Sequence, residues 1–169
     1  MRCCFSGHRR LSLEEIQVIQ HELLSVIETI LIDREPCQFL AGGALGFDTI
    51  AAETVLFFRE IYPWIRLILV LPCQNQTKGW PQKEIDRYEK ICSQADEIIY
   101  TSQAYYNGCM LFRDRYLAEH SDVCIAFLRP NIQKGGTRYT VNYCLEKGVS
   151  VVNIAERCLI LSKEPKIDL

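Results

Sequence analysis

Three glycine-bearing turns, each beside a run of apolar residues, constrain the fold of this chain more than any other feature. They lie at residues 3–9, 39–48 and 134–137. The first two follow short strand-like runs, and the second and third lead directly into helical patterns. A glycine turn between a buried strand and a helix lets a ligand approach the backbone and exposes the free N–H groups of the helix. Three such turns in one small domain predict a cleft for a nucleotide or a phosphate.

Composition and charge narrow the class of protein. The chain has 169 residues, of which 49% are hydrophobic and 24% are charged. This favours one globular domain, which we place at residues 1–162, followed by a polar tail at 163–169. The net charge of −2 disfavours a general nucleic-acid-binding surface. This net charge is still compatible with a local cluster of basic residues at the entrance to a cleft, formed by Arg9, Arg10, Arg113 and Arg115.

Membrane insertion and export are not indicated by the sequence. No segment approaches the ~20 apolar residues of a membrane span. The first apolar stretch is too short for a signal peptide and runs directly into Gly7, His8 and Arg9. We therefore expect a cytoplasmic protein.

The nine cysteines do not show the spacing of a zinc site. We expect no bound metal, because no Cys-x-x-Cys pair is matched by a second pair. Most of the thiols lie among apolar residues, where they behave as small buried hydrophobes; these are Cys3, Cys4, Cys37, Cys124 and Cys144. Cys73 and Cys109 lie near predicted loops and could face the cleft.

Strand-like and helical segments alternate along the whole chain. The apolar runs predict strands at residues 2–6, 37–41, 66–71, 97–100, 122–127 and 149–154. Between them, helices are predicted after Ser12, whose capping box includes Glu15, and at 49–62, 81–93, 110–120 and 137–147, the last one capped by Thr137. This order predicts an α/β fold with a three-layer, doubly wound, mostly parallel Rossmann-like sheet of about six strands and helices on both faces. Ligands bind such sheets at the carboxyl ends of the strands, where all three glycine turns fall.

Five short motifs appear in the order found in one protein family. The chain resembles the YpsA-like branch of the SLOG superfamily, which is named for the Smf/DprA and LOG proteins. The motifs are Ser6-Gly7-His8-Arg9, Gly42-Gly43-Ala44-Leu45-Gly46-Phe47-Asp48, the spaced set Pro72, Gln76 and Trp80, Arg113-Asp114-Arg115 before Ser121-Asp122, and Gly135-Gly136-Thr137. The resemblance implies a Rossmann-like fold and a nucleotide-related ligand. By analogy with LOG proteins it also implies a homodimer.

The resemblance to LOG enzymes is incomplete. Those enzymes are phosphoribohydrolases with the signature Pro-Gly-Gly-x-Gly-Thr-x-x-Glu. Here residues 133–140 lack the proline, the intervening glycine and the glutamate. The missing glutamate argues against the same reaction. Position 114 is Asp where the family pattern leads us to expect Asn.

Backbone groups are the first candidates for ligand binding. The N–H groups of two glycine turns could cradle a phosphate, with a tight structural turn as the alternative; the residues are Gly42, Gly43 and Gly46, and Gly135, Gly136 and Thr137. At the first turn, Gly7 leads to two side-chain candidates. Arg9 could bind a phosphate and His8 could hydrogen-bond the ligand or act as a general acid; the alternative is a solvated arginine and a structural histidine.

Other side chains are candidates for recognising the rest of a nucleotide. Asp48 could accept ribose hydroxyls or cap a helix. Gln76 could read a base or ribose edge or face water, and Trp80 could stack on a base or hold its loop to the body of the protein. Of Arg113 and Arg115, at most one should face the cleft, and we favour Arg113.

Three functions are compatible with these residues. The first is a sensor or binding module for a nucleotide or a nucleotide-derived small molecule, with no cofactor or metal required. The second is a hydrolase that cleaves an N-glycosidic bond in a nucleotide, with Asp48, Asp114 and His8 as candidate catalytic residues. The third, which the acidic charge balance disfavours, is single-stranded DNA binding as in Smf/DprA proteins.

Overall fold

In the part of the chain that the structure describes, six strands form one parallel sheet, and five helices connect them. The computed structural model describes residues 1–32 and 37–156, so the predicted tail at 163–169 and the predicted end of the domain at residue 162 lie outside the described residues. The elements are β1 (Arg2–Gly7), α1 (Leu13–Leu31), β2 (Gln38–Ala41), α2 (Phe47–Ile61), β3 (Arg66–Leu71), α3 (Gln82–Gln94), β4 (Glu97–Tyr100), α4 (Cys109–Glu119), β5 (Val123–Phe127), α5 (Gly136–Glu146) and β6 (Ser150–Asn153). The predicted Rossmann-like architecture is confirmed.

The strand order is β4-β3-β2-β1-β5-β6. The chain builds the sheet outward from β1 to β4 and then returns through α4 to place β5 on the free side of β1. The direction of building therefore reverses between β1 and β5. These two strands stay in register to their carboxyl ends, where Gly7 is paired with Phe127. In an open α/β sheet this reversal point is where a crevice forms for a ligand.

The central strands are apolar on both faces because each face is covered by helices. Along β1, Cys3 and Phe5 belong to the core that packs under α1 and α2, whereas Cys4 belongs to the core under α4 and α5. This alternation follows from the two-residue period of a strand. The Phe5 ring stacks on Phe39 of β2 at a centroid distance of 5.9 Å, and it meets Phe47 of α2 edge-on. Aromatic packing therefore fixes the start of α2 against the sheet.

The N-terminus of α1 is capped by side-chain hydrogen bonds, whereas that of α5 is capped by a glycine with positive φ. The predicted capping box is confirmed, because Glu15 N donates to Ser12 Oγ at 3.1 Å and Ser12 N donates to Glu15 Oε2 at 2.8 Å. The predicted cap at Thr137 is wrong. Helix α5 begins at Gly136 and its N-cap is Gly135, whose φ of 113° is a conformation that favours glycine.

None of the described helices is long and apolar enough to cross a membrane.

Candidate functional site

A cavity of about 400 Å³ opens at the carboxyl end of β1. Its walls come from the residues that end β1, the first turn of α2, residues 110–117 of α4 and the first turn of α5. It therefore lies at the reversal point between β1 and β5, where the fold predicts a ligand crevice. Eight of the residues singled out from the sequence line it: Gly7, His8, Arg9, Asp48, Arg113, Asp114, Gly136 and Thr137.

The first two glycine turns are packed directly against each other. A Cβ atom on Gly7 would overlap the Phe47 side chain, and one on Gly46 would overlap the backbone carbonyl oxygens of His8 and Arg9. The N–H of Phe47 donates to the His8 carbonyl at 3.1 Å. These glycines therefore allow the start of α2 to pack on the end of β1. At least one of the first N–H groups of α2, that of Phe47, is already hydrogen-bonded within the protein.

The remaining glycines of the second turn contact side chains from distant parts of the chain. The Gly42 carbonyl accepts a hydrogen bond from Arg113, and a Cβ at Gly42 would overlap that guanidinium. The Gly43 carbonyl accepts a bond from Gln76 Nε2 at 3.0 Å. Gly42, Gly43, Gly46 and Gln76 do not line the cavity within the part of the chain that the structure describes. Their observed contacts are structural.

Trp80 also lies away from the cavity. Its ring packs edge-on against Tyr88 of α3 at a centroid distance of 5.7 Å. Trp80 N donates to the Thr77 carbonyl at 3.0 Å and closes the turn that precedes α3. The observed packing corresponds to the alternative in which Trp80 holds its loop to the body of the protein.

A buried arginine with two aspartates forms the floor of the cavity. Arg113 is only 5% exposed; its Nη1 lies 3.6 Å from Asp48 Oδ2, and its Nε lies 2.8 Å from Asp114 Oδ1. The Nε–H has no well-aligned acceptor among the described residues, so this last contact is an ion pair without good hydrogen-bond geometry. Arg115, two residues on, lies on the exposed face of α4 against Tyr139. The two arginines thus point in different directions, as their spacing predicts.

Burial changes the proton affinity of both carboxyl groups. Loss of solvent raises the pKa of Asp48 to about 6, against the opposing charge of Arg113 and with a smaller contribution from Asp114. Burial also raises the pKa of Asp114, which Arg113 partly offsets. The alternative of Asp48 as the N-cap of α2 is wrong, because that cap is Gly46, which has a φ of 78°. Asp48 instead accepts a long bond of 3.4 Å from Ala44 N.

The third glycine turn has free space around its backbone, whereas the first two are packed against other parts of the protein. No heavy atom lies within 4 Å of the position that a Cβ on Gly135 would take. Gly136 and Thr137 line the cavity, and the first N–H groups of an α-helix have no partner within the helix. The positive end of the helix dipole therefore faces the cavity at this turn. The Asp114 carboxylate lies next to Gly136 and is a negative neighbour that any bound anion would meet.

Arg9 and His8 differ in how many contacts their side chains make with the rest of the protein. Arg9 is exposed, and its Nη2 contacts only the sulfur of Met110, at 3.8 Å, among the polar contacts of the described residues. His8 is half-buried; its Nε2 accepts a hydrogen bond from Arg129 N at 3.3 Å, and its ring packs edge-on against Phe127. Burial and the nearby Arg129 lower the pKa of His8, so this histidine is neutral at pH 7 and a poor proton donor.

Several cavity residues were not singled out by the sequence. Met110, Leu111 and Leu117 of α4 and Ser6 of β1 also line the cavity. The apolar residues of α4 carry no signal that separates them from ordinary core positions. Ser6 lies within the first motif and could have been found from its place directly before Gly7.

Comparison with known proteins assigns the family. The family model for YpsA, described as the YspA SLOG family, matches residues 3–151. The chain belongs to this SLOG family. It is 28% identical over 137 residues to the uncharacterized SPbeta prophage-derived protein YoqJ of Bacillus subtilis, a match that covers 74% of this chain and 79% of that protein. It is 35% identical over 85 residues to a UPF0398 protein of Brevibacillus brevis; the match covers 49% of this chain and 45% of the relative, so it spans less than half of that protein.

Solved structures that share the fold include two at low sequence identity. One is DNA processing protein A from Helicobacter pylori, described for its mode of binding single-stranded DNA; it has a TM-score of 0.54 and 21% identity, and the match covers 97% of this chain and 81% of that chain. The other is TM1055, with a TM-score of 0.55 and 14% identity over 93% of this chain and 79% of that chain. At these identities the likeness concerns the fold alone.

Proposed function

We propose that this SLOG protein binds a nucleotide or a nucleotide-derived small molecule in the cavity at the end of β1 and acts as a sensor or binding module. The observation that carries the proposal is the pairing of opposite chemistries in one cavity. Arg9 and the start of α5 supply positive groups, and Asp48 and Asp114 supply carboxylates. A nucleotide presents phosphates to the first set and ribose hydroxyls to the second.

The size and position of the cavity support the same ligand class. A volume of about 400 Å³ falls in the range of small-molecule sites, which span roughly 300–1,000 Å³. The cavity lies at the reversal point of the sheet, where Rossmann-like proteins bind nucleotides. We place the protein in the cytoplasm and expect a homodimer as parts of this proposal; no cofactor or metal is needed for binding of this kind.

Thermal unfolding against a panel of ligands tests the proposal. The panel comprises AMP, ADP, ATP, NAD, ADP-ribose, and cyclic and guanine nucleotides. A ligand present at ~100 times its dissociation constant adds about 2.7 kcal/mol to the free energy of unfolding. We expect Arg9→Ala to lose the shift and Arg10→Ala to keep it, because Arg10 is exposed and outside the cavity. No shift with any nucleotide, or equal loss in both variants, would contradict the proposal.

Hydrolysis of an N-glycosidic bond is the second candidate function, and one observation favours it. Asp48 and Asp114 both line the cavity, and burial raises the pKa of each, as in carboxyl groups that donate a proton at neutral pH. Their contacts with Arg113 and the missing LOG glutamate count against it. Base release from any nucleotide that binds, lost in Asp114→Asn and retained in the surface variant Asp86→Asn, would support this function.

Single-stranded DNA is the third candidate ligand. The fold is shared with a protein described as binding single-stranded DNA, whereas the net charge of this chain is −2. A labelled oligonucleotide titrated at low and moderate salt would test it, because binding through phosphates weakens steeply as salt rises. Salt-dependent binding that Arg9→Ala weakens would favour DNA over a free nucleotide.

A further inference from the structure

The charged side chains that line the cavity at the end of β1 balance one another. Two are positive and two are negative: Arg9 and Arg113 against Asp48 and Asp114. His8 adds no charge at pH 7, because burial lowers its pKa. The other lining residues that the structure describes are uncharged. A cleft that attracts a strongly negative ligand is instead lined by an excess of cations.

The charge of Arg113 is already used within the protein. Its Nη1 donates to the Gly42 carbonyl and lies 3.6 Å from Asp48 Oδ2, and its Nε lies 2.8 Å from Asp114 Oδ1. The Nε–H has no well-aligned acceptor among the described residues. Native proteins rarely leave a buried donor unpaired, and Arg113 borders the cavity. The floor therefore offers a ligand one hydrogen-bond donor, but no uncompensated positive charge.

Asp114 places a carboxylate at the open start of α5. Its Oδ2 lies 3.7 Å from the position that a Cβ on Gly136, the first residue of α5, would take. An anion at this helix start meets Asp114 together with the helix dipole, which is equivalent to about half a unit of positive charge. Burial raises the pKa of Asp114, so its charged form is already disfavoured there. Each further negative charge on a ligand increases the repulsion.

Arg9 also borders a second cavity, of about 250 Å³. The two other charged residues that line it are Glu84 and Arg87, which form an ion pair at 3.9 Å. The rest of its described lining is mainly apolar and includes Leu11, Ile16, Leu45, Ile50 and Pro81. A phosphate bound to Arg9 therefore has space for an organic group on two sides. A phosphodiester has two such groups, whereas a terminal phosphomonoester has one.

On the basis of the proposed function, we propose that the ligand is a nucleotide derivative whose phosphates each carry a single charge, and that Asp114 sets this preference. Phosphodiesters and bridged pyrophosphates meet this condition. A terminal phosphomonoester carries between about 1.5 and 2 negative charges at pH 7. Arg9 and the start of α5 compensate the first charge. The second would lose its hydration and approach Asp114 without gaining a cation. Asp114 is therefore a specificity-determining residue.

The test compares 5′-AMP with its methyl phosphodiester by isothermal titration at pH 8, with GMP and its methyl phosphodiester as a second pair. The members of a pair share base and ribose and differ by one methyl group and one charge. We expect the wild type to bind a diester about tenfold more tightly than its monoester. Asp114→Asn should remove this preference by raising the affinity for the monoester more than that for the diester. Glu119→Gln, at the exposed far end of the same helix, should retain it.

The wild-type comparison decides the proposal even if Asp114→Asn fails to fold. Equal or tighter binding of the monoesters would overturn the proposal and leave the nucleotide site in place. An Asp114→Asn variant that keeps the wild-type preference would also overturn it, as would the failure of both diesters to bind. If no nucleotide of the thermal panel binds either, the proposed function is contradicted together with this inference.

Discussion

The second and third glycine turns look alike in the sequence and differ in the structure. Gly42, Gly43 and Gly46 are surrounded by atoms that a side chain would strike: the Arg113 guanidinium, Leu71, and the carbonyls of the first turn. Among the described residues, no atom lies within 4 Å of a Cβ built on Gly135, and a Cβ built on Gly136 would have only Asp114 Oδ2 within that distance, at 3.7 Å. Glycine in the second turn therefore serves close packing, whereas in the third turn it leaves a helix N-terminus open to a cavity.

Arg113 joins these two regions, and its removal is expected to have the largest effect. It donates to the Gly42 carbonyl and contacts Asp48 and Asp114. Arg113→Met should cost about 3–5 kcal/mol of unfolding free energy, since it leaves buried carboxylates without their partner. Urea denaturation measures the loss. The control is Arg115→Met on the exposed face of the same helix, expected within about 0.5 kcal/mol; equal costs would contradict the structural role of Arg113 in the cavity floor.

Alanine at the glycines tests the contrast between closed and open turns. Gly46→Ala should cost about 3 kcal/mol or more, because it adds overlap with backbone oxygens to the strain of a φ of 78°. Gly135→Ala should cost about 1 kcal/mol from backbone strain alone. Gly79→Ala supplies the reference, because its φ of 81° is similar and its surroundings are open. Urea denaturation measures the three losses. A loss of unfolding free energy in Gly46→Ala no larger than that in Gly79→Ala would contradict the contrast between the two turns.

The pH dependence of stability tests the burial of Asp48. Its pKa is raised from 3.8 to about 6, so the folded state binds more protons than the unfolded state between these values. Stability is therefore highest below about pH 4 for this group and falls as pH rises toward 6, by about 2–3 kcal/mol if the whole shift is expressed. Asp48→Asn should flatten this decline in denaturation curves recorded from pH 4 to 7.

Glu15 supplies the opposite case. Its pKa is lowered to about 2, mainly by its hydrogen bonds with Arg129. Its contribution to stability is present above pH 4.5 and is lost as pH falls toward 2. Glu15→Gln should lower stability above pH 4.5 and remove this acidic limb, while leaving the decline between pH 4 and 6 unchanged. An Asp48→Asn variant whose curve differs from the wild type only below pH 4 would contradict the assignment of the two groups.

The smallest effect on stability is expected at the residue that matters most for binding. Arg9→Ala removes an exposed side chain whose polar contact among the described residues is with the Met110 sulfur, so the free energy of unfolding should change by less than about 0.5 kcal/mol. Nucleotide affinity should fall by about tenfold to a hundredfold, which corresponds to about 1.5–3 kcal/mol for a charged hydrogen bond. Isothermal titration and urea denaturation of Arg9→Ala beside Arg10→Ala measure the two quantities. Large destabilisation by Arg9→Ala would assign this residue to the fold instead.

The order of elements could be predicted from sequence because it depends on local signals. The capping box at Ser12 and the apolar run at β3 each lie within a few residues, and both appear as expected. The contacts that separate the closed turn from the open one join distant residues. Arg113 reaches the Gly42 carbonyl across 71 positions, and Gln76 reaches Gly43 across 33. No local pattern specifies those pairs, so the sequence could not distinguish packing glycines from those beside the cavity.

Three buried cysteines illustrate the same limit. Cys4, Cys124 and Cys144 have no zinc-like spacing along the chain, and each resembles an ordinary buried thiol. The parallel pairing of β1 with β5 and the packing of α5 bring their sulfur atoms within 4.8 Å of one another. Sequence spacing detects groups of residues that share a turn or a hairpin, and it misses those assembled by a sheet.

The response of backbone amides to nucleotides tests most directly whether the open turn holds the phosphate. Each nucleotide of the thermal panel is titrated into labelled protein while the N–H resonances are followed. We expect the signals of Gly136 and Thr137 to shift with the ligand while that of Gly43 stays in place. Shifts confined to residues 42–46, or no shift at the start of α5 with a nucleotide that binds, would contradict the claim that the phosphate lies at the open turn.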